Sequence, residues 1–344
     1  MTNVETVIAN LNEFVPEAME QARLRFRVLR DVLHHQPVGR RQIAQRLGRS
    51  ERTARSEIGA LKEQGALEIT PGGILLTDYG MKLISMMDVV VPYLEGLNPL
   101  ASRLKQYLGL DEVILVSGDS YIDPLTKKEL GRVAARYVKE ALLHARILAV
   151  TGGSTLAEMG NAITPGPGGH EVLVLPARGG LGERLEEQAN AIAAHIAKAM
   201  GGNYRLLHIP DSLDQETIDR LMTNQQIAEI VSQLKQCDIV VHGIGSALEM
   251  ASRRGLAEEA LKILEDHQAV GEAFRYYFNA AGEIVYNVAG IGLELSDLDN
   301  VSLVVAVAGG SNKAWAIESV LTNRRRGTLI SDEGAARTIL ERRR

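Results

Sequence analysis

Apolar residues between positions 19 and 64 recur every three or four positions, which is the spacing of one helix face. The pattern predicts helices over Met19–Leu33, Arg40–Leu47 and Glu51–Gln64. Gly48 supplies a turn between the last two, and Ser50 is suited to cap the helix that follows it. Two short helices joined by a tight turn that contains glycine indicate a helix-turn-helix.

The pattern changes to two short apolar runs after this pair of helices. Leu67–Ile69 and Ile74–Leu76 flank the turn sequence Thr70-Pro71-Gly72-Gly73, which predicts a β-hairpin. A hairpin in this place is the wing of a winged helix-turn-helix. We therefore expect a DNA-binding domain over residues 1–80, with the recognition helix at Ser50–Gln64.

A connector over Met81–Leu108 also carries apolar residues at helical spacing, but Pro92, Gly96 and Pro99 interrupt any single helix. The sustained heptads of a coiled coil are absent from this sequence. We interpret the segment as a helical linker that packs on a neighbouring element or on a second subunit. Packing of its apolar residues into the core of the same subunit is nearly as good an interpretation of this segment.

From residue 109 onward, short buried runs alternate with helical patterns. The predicted strands are Val113–Val116, Ile147–Val150, Val172–Leu175, Leu206–Ile209, Ile239–Val241, Leu303–Val307 and Thr328–Ile330. The predicted helices are Lys127–Leu143, Ser154–Ala162, Glu183–Met200, Gln225–Lys235, Ala247–Arg254, Lys313–Leu321 and Glu333–Glu341. This alternation predicts an α/β fold with a mostly parallel, doubly wound sheet over residues 109–344.

Charge is divided unevenly between these regions. Residues 21–62 hold eleven basic and three acidic side chains, a net charge of +8 in a chain whose total is −5. A basic block on an acidic body is typical of nucleic-acid binding. The candidate DNA-binding residues are Arg40, Arg41, Arg49, Ser50, Arg52, Thr53 and Arg55. We expect Arg52 to contact bases and Arg40 and Arg41 to contact phosphate; surface pairing with glutamates is the alternative.

Composition and hydropathy narrow the classes of protein to which the chain can belong. The single cysteine, Cys237, excludes an internal disulfide and a multi-cysteine metal site. No apolar run reaches the roughly 18 residues that a membrane span needs. The N-terminus lacks the cationic start and apolar core of a secretory signal, so we expect a cytoplasmic protein.

Glycine-rich turns follow four of the predicted strands. They are Thr151-Gly152-Gly153-Ser154-Thr155, Ala177-Arg178-Gly179-Gly180, Gly243-Ile244-Gly245-Ser246 and Ala308-Gly309-Gly310-Ser311-Asn312-Lys313. Backbone amides at such strand ends can surround an anion, and the dipole of the next helix adds to the attraction. With charge from Arg178 and Lys313, the turns predict a site for two phosphates, or for one phosphate and a sugar. A purely conformational need for glycine is the alternative.

Standard nucleotide and hydrolase motifs are missing from the sequence. Leu248 stands where the dinucleotide fingerprint needs its third glycine, and no Gly-Lys-Ser/Thr phosphate loop or Gly-x-Ser-x-Gly elbow occurs. His242 could act as a general base, although a structural histidine is the more common case. We expect Cys237 to be buried and unreactive.

The winged head, Val116-Ser117-Gly118-Asp119-Ser120, Pro176–Gly182, Gln188-Ala189-Asn190 and Ala306–Lys313 together resemble the SorC/DeoR-type sugar-sensing transcription regulators. Within that family the chain resembles the regulators of glycolytic genes in Gram-positive bacteria. The resemblance implies a C-terminal domain similar to ribose-5-phosphate isomerase and glucosamine-6-phosphate deaminase, with catalysis lost. It also implies a repressor of a glycolytic operon, induced by fructose-1,6-bisphosphate, without a cofactor or membrane association, that binds operator DNA as a homo-oligomer, a dimer or tetramer.

The resemblance also implies an effector site. By motif its residues are Gly152, Gly153, Ser154, Thr155, Arg178, Gly179, Gln188, Arg253, Glu272, Gly309, Gly310 and Lys313. The glycine-rich loop and Lys313 would hold one phosphate, and Arg178, Gln188, Arg253 and Glu272 the sugar and the second. An isomerase or deaminase with an accessory DNA-binding domain is the alternative, but Ser246-Ala247-Leu248 lacks the acid and histidine that such deaminases need.

Overall fold

The computed structural model describes residues 4–87, 90–165, 172–181, 184–322, 324 and 326–342. Its contacts divide the chain into two compact units, Met1–Pro99 and Leu100–Arg344. The division falls inside the predicted connector. The two units are described separately below.

The N-terminal unit is a helical head with a small hairpin. Its helices are α1 (Val4–Phe14), α2 (Pro16–His35), α3 (Arg40–Arg46), α4 (Glu51–Glu63), α5 (Asp78–Met87) and α6 (Val91–Leu94). The predicted helix-turn-helix is formed by α3 and α4. Gly48 turns between them with φ +59°, and the Ser50 hydroxyl accepts a 3.1 Å hydrogen bond from the Thr53 amide, as expected of an N-cap.

The wing consists of β1 (Leu67–Thr70) and β2 (Gly73–Leu76), which pair antiparallel as predicted. A bridge between Val38 and Ile74 fixes the hairpin to the turn before α3. Gly73 is required there, because its φ is +135° and a Cβ atom would lie 2.9 Å from the Val38 nitrogen. The core of this unit includes side chains that are at most 2% exposed: Val28, Ile43, Ile58, Leu61, Ile74 and Ile84.

The connector is broken into separate helices, and α7 covers Leu97–Leu108. Gly96, with φ +67°, separates α6 from α7. Contrary to our expectation, Pro99 does not interrupt a helix. It is the third residue of α7, in the first turn, where a missing N–H leaves no helical hydrogen bond unmade.

A seven-stranded parallel sheet organises the C-terminal unit. Its strands are β3 (Glu112–Val116), β4 (Ile147–Val150), β5 (Leu173–Pro176), β6 (Asn203–Tyr204), β7 (Ile239–His242), β12 (Leu303–Val307) and β13 (Thr328–Asp332). The order is β3-β13-β12-β7-β4-β5-β6, and the pairing is parallel throughout. Central strands read as unbroken apolar runs because helices cover both faces.

The remaining helices of this unit lie between the strands, except for α16, which follows the last strand. They are α8 (Pro124–Ala141), α9 (Ser154–Ala162), α10 (Ala189–Met200), α11 (Gln215–Met222), α12 (Gln225–Leu234), α13 (Ala247–Arg254), α14 (Glu258–Asp266), α15 (Ala314–Leu321) and α16 (Glu333–Glu341). Short 3₁₀ turns occur at Leu142–His144, Leu185–Glu187, Leu295–Asn300 and Ser311–Lys313. No helix in the described ranges is long and apolar enough to cross a membrane.

Two predicted elements are wrong. Leu206–Ile209 is not a strand, because the edge strand is the two-residue β6 and the chain then leaves the sheet. The single helix expected over Glu183–Met200 is divided, since a 3₁₀ turn ends at Glu187 and α10 begins at Ala189. Glu183 itself lies outside the described residues.

A second, antiparallel sheet was not predicted. It contains β8 (Gly245–Ser246), β9 (Ala269–Ala273), β10 (Tyr276–Asn279) and β11 (Ile284–Asn287) in the order β11-β10-β9-β8. Phe274 and Arg275 alone connect β9 to β10, with φ +52° and +76°. Tight hairpins usually place Asn or Gly at such positions.

Candidate effector cavity and DNA-binding surface

A cavity of about 270 Å³ opens at the carboxyl ends of β4, β5, β7 and β12. These four strands are neighbours in the parallel sheet, so the loops that follow them meet at one edge. Eleven of the twelve candidate effector residues line the cavity: Gly152, Gly153, Ser154, Thr155, Arg178, Gly179, Gln188, Arg253, Glu272, Gly309 and Lys313. Gly310 does not belong to the lining.

The N-terminus of α9 faces this cavity. Gly153 is the N-cap residue, with φ +129°, and no side chain caps the helix. Gly152 lets the chain pass close to the next loop, because a Cβ atom there would lie 2.6 Å from the Glu187 carbonyl oxygen. Ser154 and Thr155 form the first turn and line the cavity. The backbone amides of this first turn and the dipole of α9 therefore favour an anion at this point of the cavity.

Lys313 brings a positive charge to the same place. It follows β12, and no hydrogen bond or ion pair joins its ammonium group to another residue in the described part of the chain. Burial lowers the pKa of Lys313, and the nearby charges of Lys127 and Arg253 lower it further, against the opposite effects of Glu249 and Glu187. A desolvated ammonium group without a counter-ion attracts an anion strongly.

The Gly309-Gly310 loop differs from its expected role as a backbone anion site. The Gly310 amide donates to Asp332 at 2.7 Å, and the Ser311 amide donates to Asp119 at 3.0 Å. Burial raises the pKa of Asp332 although its carboxylate accepts the bond from Gly310. Because two of its amides are already used, the loop contributes the Lys313 side chain to the cavity rather than a ring of N–H donors.

Arg178 is held by a buried ion pair rather than left open to a ligand. Its Nη1 lies 2.9 Å from Oδ2 of Asp211, and the Nε of Arg254 lies 2.8 Å from the same oxygen. Arg254, whose side chain is fully buried, also reaches Glu272 at 2.8 Å and the Tyr277 hydroxyl at 2.9 Å. Burial alone would raise the pKa of Asp211, but Arg178 and Arg254 outweigh it and the pKa is lowered.

Glu187 is a carboxylate within the cavity. Its Oε2 lies 3.3 Å from Nη2 of Arg253, and its Oε1 lies 3.6 Å from Nη1 of Arg184. Gln188 follows as the N-cap residue of α10. Gly179 passes close to the chain at Pro210, whose carbonyl oxygen would lie 2.5 Å from a Cβ atom.

His242 does not have the surroundings of a general base. It is 1% exposed, its ring packs 4.6 Å from that of Phe274, and burial lowers its pKa to about 3. Cys237 is buried, and burial raises the pKa of its thiol to about 12. Among the described residues, no group of His, Cys, Asp and Glu side chains is arranged to hold a metal ion.

The head places several arginines on its surface. Arg40, Arg52 and Arg55 are exposed and form no ion pair or hydrogen bond with the residues that the structure describes. Arg41 and Arg49 form exposed pairs, with Glu51 at 3.3 Å and with Glu20 at 2.7 Å. Exposed pairs of this kind contribute little stability and leave the cations accessible to phosphate. The partly exposed Thr53 and the exposed Ser50 lie at the start of the same helix.

Other arginines in the basic block are structural. Arg46 binds the buried Asp31 with two hydrogen bonds of 2.6 and 2.7 Å, which raise the pKa of Arg46. Arg25 pairs with Glu57 at 2.8 Å. Glu57, on α4, therefore pairs with an arginine of α2 and not with the arginines of α4.

Four residues of functional interest were missed in the sequence. Glu187, Asp211 and Arg254 lie outside the glycine-rich turns themselves, and Lys127 lies inside a helix after a strand that was not marked as part of the site. Their common signal is a charged residue shortly after a strand end or at a helix end. That signal is too frequent along the chain to single them out.

Comparison with protein families supports both units. A family model described as "CggR N-terminal DNA binding domain" matches residues 22–91, and one described as "Putative sugar-binding domain" matches residues 93–341. The central glycolytic genes regulator of Bacillus subtilis is 41% identical over 328 residues, which are 95% of this chain and 96% of that protein. The regulator of the same name from Priestia megaterium is 40% identical over 98% of this chain and 99% of its own.

Solved structures agree with these matches. A "putative SorC family transcriptional regulator" from Enterococcus faecalis is 37% identical with a TM-score of 0.66, over 71% of this chain and all of that one. The full-length sorbitol operon regulator SorC from Klebsiella pneumoniae shares the fold, with a TM-score of 0.66 and 21% identity over 91% of this chain and 96% of that one.

Fold, cavity and matches together define a DNA-binding transcription regulator with a sugar-binding domain, not an enzyme. The expected resemblance to the SorC/DeoR-type regulators is confirmed. The chain belongs to the SorC family, in the group that includes the central glycolytic genes regulators.

Proposed function

We propose that the protein is a repressor of glycolytic genes that releases its operator when fructose-1,6-bisphosphate enters the cavity of the C-terminal unit. The observation that carries the proposal is the position of Lys313, a cation without a partner in the described chain, in the cavity that the uncapped N-terminus of α9 also faces. A phosphate would satisfy both groups at once.

The charge of the cavity favours an effector with more than one phosphate. Five basic side chains line it, Lys127, Arg178, Arg184, Arg253 and Lys313, against the three carboxylates of Glu187, Glu249 and Glu272. Asp211 pairs with Arg178 and Arg254 pairs with Glu272, so the excess of positive charge comes from the other basic side chains. The names of the two relatives from Bacillus subtilis and Priestia megaterium point to glycolytic genes, and a glycolytic bisphosphate suits both the charge and that connection. No further cofactor is needed for this function.

We further propose that the protein acts as a homo-oligomer, a dimer or a tetramer. Operators that are recognised by winged helix-turn-helix proteins commonly contain repeated half-sites, which two or more heads occupy together. An effector can then release DNA by favouring a state in which the heads no longer match the half-site spacing. Sedimentation of the free protein, and of its complexes with DNA and with effector, tests the oligomeric state.

Effector specificity is tested by calorimetric titration of the full chain with fructose-1,6-bisphosphate, fructose 6-phosphate and glucose 6-phosphate. We expect the bisphosphate to bind with an affinity at least about tenfold higher than that of either monophosphate, because a charge-assisted contact contributes about 1.5–3 kcal/mol. Equal binding of all three sugars would contradict the proposed effector.

The repressor role is tested with DNA. Operator sequences are selected from a random-sequence pool by the protein without effector, and mobility shifts are then measured with and without the bisphosphate. Release of the selected DNA by the bisphosphate supports the proposal. Tighter binding in its presence would identify an activator-type response instead.

A further inference from the structure

Two lysines from different elements line the cavity, and neither pairs with a carboxylate of the described residues. Lys313 follows β12, and Lys127 lies in the first turns of α8. Both are partly buried, and neither forms a hydrogen bond or an ion pair with any residue in the ranges that the structure describes. Lys127 was not among the effector residues expected from the sequence.

We infer that Lys127 joins Lys313 and the first turn of α9 in a subsite that selects the doubly ionised form of a phosphate monoester. The inference deepens the proposed function and rests on it, since it assigns a residue and an ionic form to the phosphate that the effector presents at this edge of the sheet.

The packing of α8 against α9 places Lys127 beside the helix N-terminus. Gly131 is the contact point, because a Cβ atom there would lie 2.6 Å from Cβ of Glu158 and 2.7 Å from the Met159 nitrogen. Both helices follow parallel strands of one sheet, so they run in the same direction. One turn back from this contact, α8 presents Lys127 and α9 presents Ser154, and both line the cavity.

The electrostatics of Lys313 agree with this placement. Lys127 on α8 and Arg253 on α13 both lower the pKa of Lys313, which places their charges close to its ammonium group. Glu249 on α13 and Glu187 in the 3₁₀ turn act in the opposite direction. If these lysines had only a structural role, we would expect them to pair with the nearby carboxylates. Glu187 instead forms its ion pairs with Arg184 and Arg253.

Charge counting explains the need for a second lysine. A phosphate monoester carries about −1.5 to −2 charges near pH 7, and a helix N-terminus contributes about half a positive charge. Lys313 and α9 alone leave a dianion incompletely compensated, especially with two glutamates near Lys313. Arg253 also lies near Lys313, but its charge is shared with Glu187, 3.3 Å away. Adding Lys127 supplies the missing charge, while a monoanionic phosphate would gain less from it.

The consequence is a dependence on pH that a purely structural lysine would not produce. The second proton of a phosphate monoester has a pKa of about 6, so effector affinity should fall as the pH decreases below that value. Without Lys127 the preference for the dianion weakens. The same decrease in pH should therefore reduce the effector affinity less than it does in the unmodified chain.

The test compares the full chain with Lys127→Gln, Lys127→Arg and Lys128→Gln in calorimetric titrations at about pH 7.5 and about pH 5.5, on either side of the phosphate pKa. Lys128 is the matched control, because it is the next residue of α8 and does not line the cavity. The probes are fructose-1,6-bisphosphate and inorganic phosphate. Thermal unfolding of each variant checks that it is folded.

At the higher pH we expect Lys127→Gln to lower the affinity for both probes about tenfold, which corresponds to the loss of one charge-assisted contact. At the lower pH we expect a smaller loss of affinity. We expect Lys127→Arg to retain most of the affinity and Lys128→Gln to match the unmodified chain. The inference is overturned if Lys127→Gln behaves like Lys128→Gln, or if its loss is the same at both pH values.

The two levels of the proposal fail in different ways. Binding of inorganic phosphate that depends on Lys127, without binding of the bisphosphate, supports the subsite and overturns the proposed effector. Failure of the unmodified chain to bind either probe overturns both.

Discussion

Arg178 and Asp211 form a buried ion pair of 2.9 Å in which the two side chains are only 8% and 2% exposed. Lys313 lines the same cavity without such a partner in the described chain. The two cations that the sequence pattern treats alike therefore have different roles. Arg178 is oriented and neutralised by Asp211 before a ligand binds. The charge of Lys313 is compensated only when an anionic ligand binds.

This difference predicts opposite effects on stability. Lys313→Met removes a desolvated charge, so we expect it to abolish the response to the bisphosphate while raising the free energy of unfolding by about 1 kcal/mol. Denaturant unfolding of the full chain measures the stability and calorimetry measures the binding. A destabilised Lys313→Met variant would show that Lys313 has a structural partner.

Arg178→Met should weaken effector binding and destabilise the protein as well. The change leaves Asp211 with Arg254 as its remaining close ion-pair partner, and breaking a buried pair costs about 3–5 kcal/mol when no partner remains. We expect a loss of about 2–3 kcal/mol in the same unfolding experiment. Unchanged stability would mean that Arg254 alone satisfies Asp211.

The lowered pKa of Lys313 predicts an alkaline limit to effector binding. An anionic phosphate stabilises the charged ammonium group, so binding raises the pKa of Lys313 back towards the usual value of a lysine. Binding should therefore take up a proton at alkaline pH, and affinity should fall as the pH rises through the lowered pKa.

Calorimetry in buffers with different ionisation enthalpies measures this proton uptake. Lys313→Met serves as the control, because whatever binding it retains should lack the uptake that Lys313 contributes. Equal uptake in the two proteins would assign the proton to another group.

Glu187 predicts a variant with improved effector binding. Its carboxylate lies 3.3 Å from Nη2 of Arg253, in the position of an anion that competes with phosphate. Glu187→Gln keeps the size of the side chain and removes the competing charge, so we expect an affinity for the bisphosphate about three- to tenfold higher, a fraction of one charged contact.

The matched control is Glu186→Gln, which removes the same charge from an exposed neighbour that does not line the cavity. Calorimetric titration of both variants separates a local effect from a change in net charge. Weaker binding to Glu187→Gln would mean that Glu187 holds Arg253 in its binding position.

The head provides a contrast between arginines that bind DNA and arginines that hold the fold. We expect Arg52→Gln to weaken operator binding by about 1–3 kcal/mol without affecting stability, because Arg52 is exposed and unpaired among the described residues. Arg46→Gln should instead destabilise the head, since it leaves the buried Asp31 without its bidentate partner.

Fluorescence anisotropy with labelled operator, repeated over a range of salt concentrations, measures the DNA binding. Lys62→Gln, at the far end of α4, is the control for the loss of one positive charge. An Arg52→Gln variant that binds as well as Lys62→Gln would remove Arg52 from the interface.

Much of the fold could be predicted because its elements follow strong local rules. Central parallel strands such as Ile147–Val150 are short apolar runs, and helices such as α4 carry a clear cap at Ser50. The antiparallel sheet escaped prediction because β8 has only two residues and because Phe274 and Arg275 occupy a turn where Asn or Gly is usual.

The site was predictable where chemistry and topology coincide. Glycine-rich loops after adjacent parallel strands had to meet at one edge, which brought Gly152 and Lys313 into one cavity. What could not be predicted is pairing between distant residues. Asp211 and Arg254 are 43 positions apart, and Asp332 uses the Gly310 amide from 22 positions away. Only tertiary structure shows that Arg178 is already paired.

The central claim is that binding of a sugar phosphate in the cavity lowers the affinity of the same chain for its operator DNA. The direct test is a complete thermodynamic cycle: operator affinity with and without saturating fructose-1,6-bisphosphate, and bisphosphate affinity with and without operator. Linkage requires both pairs to change by the same factor, and we predict a decrease of about 5- to 150-fold in each, the usual range of allosteric coupling. Operator affinity that is unchanged by bound bisphosphate would contradict the account.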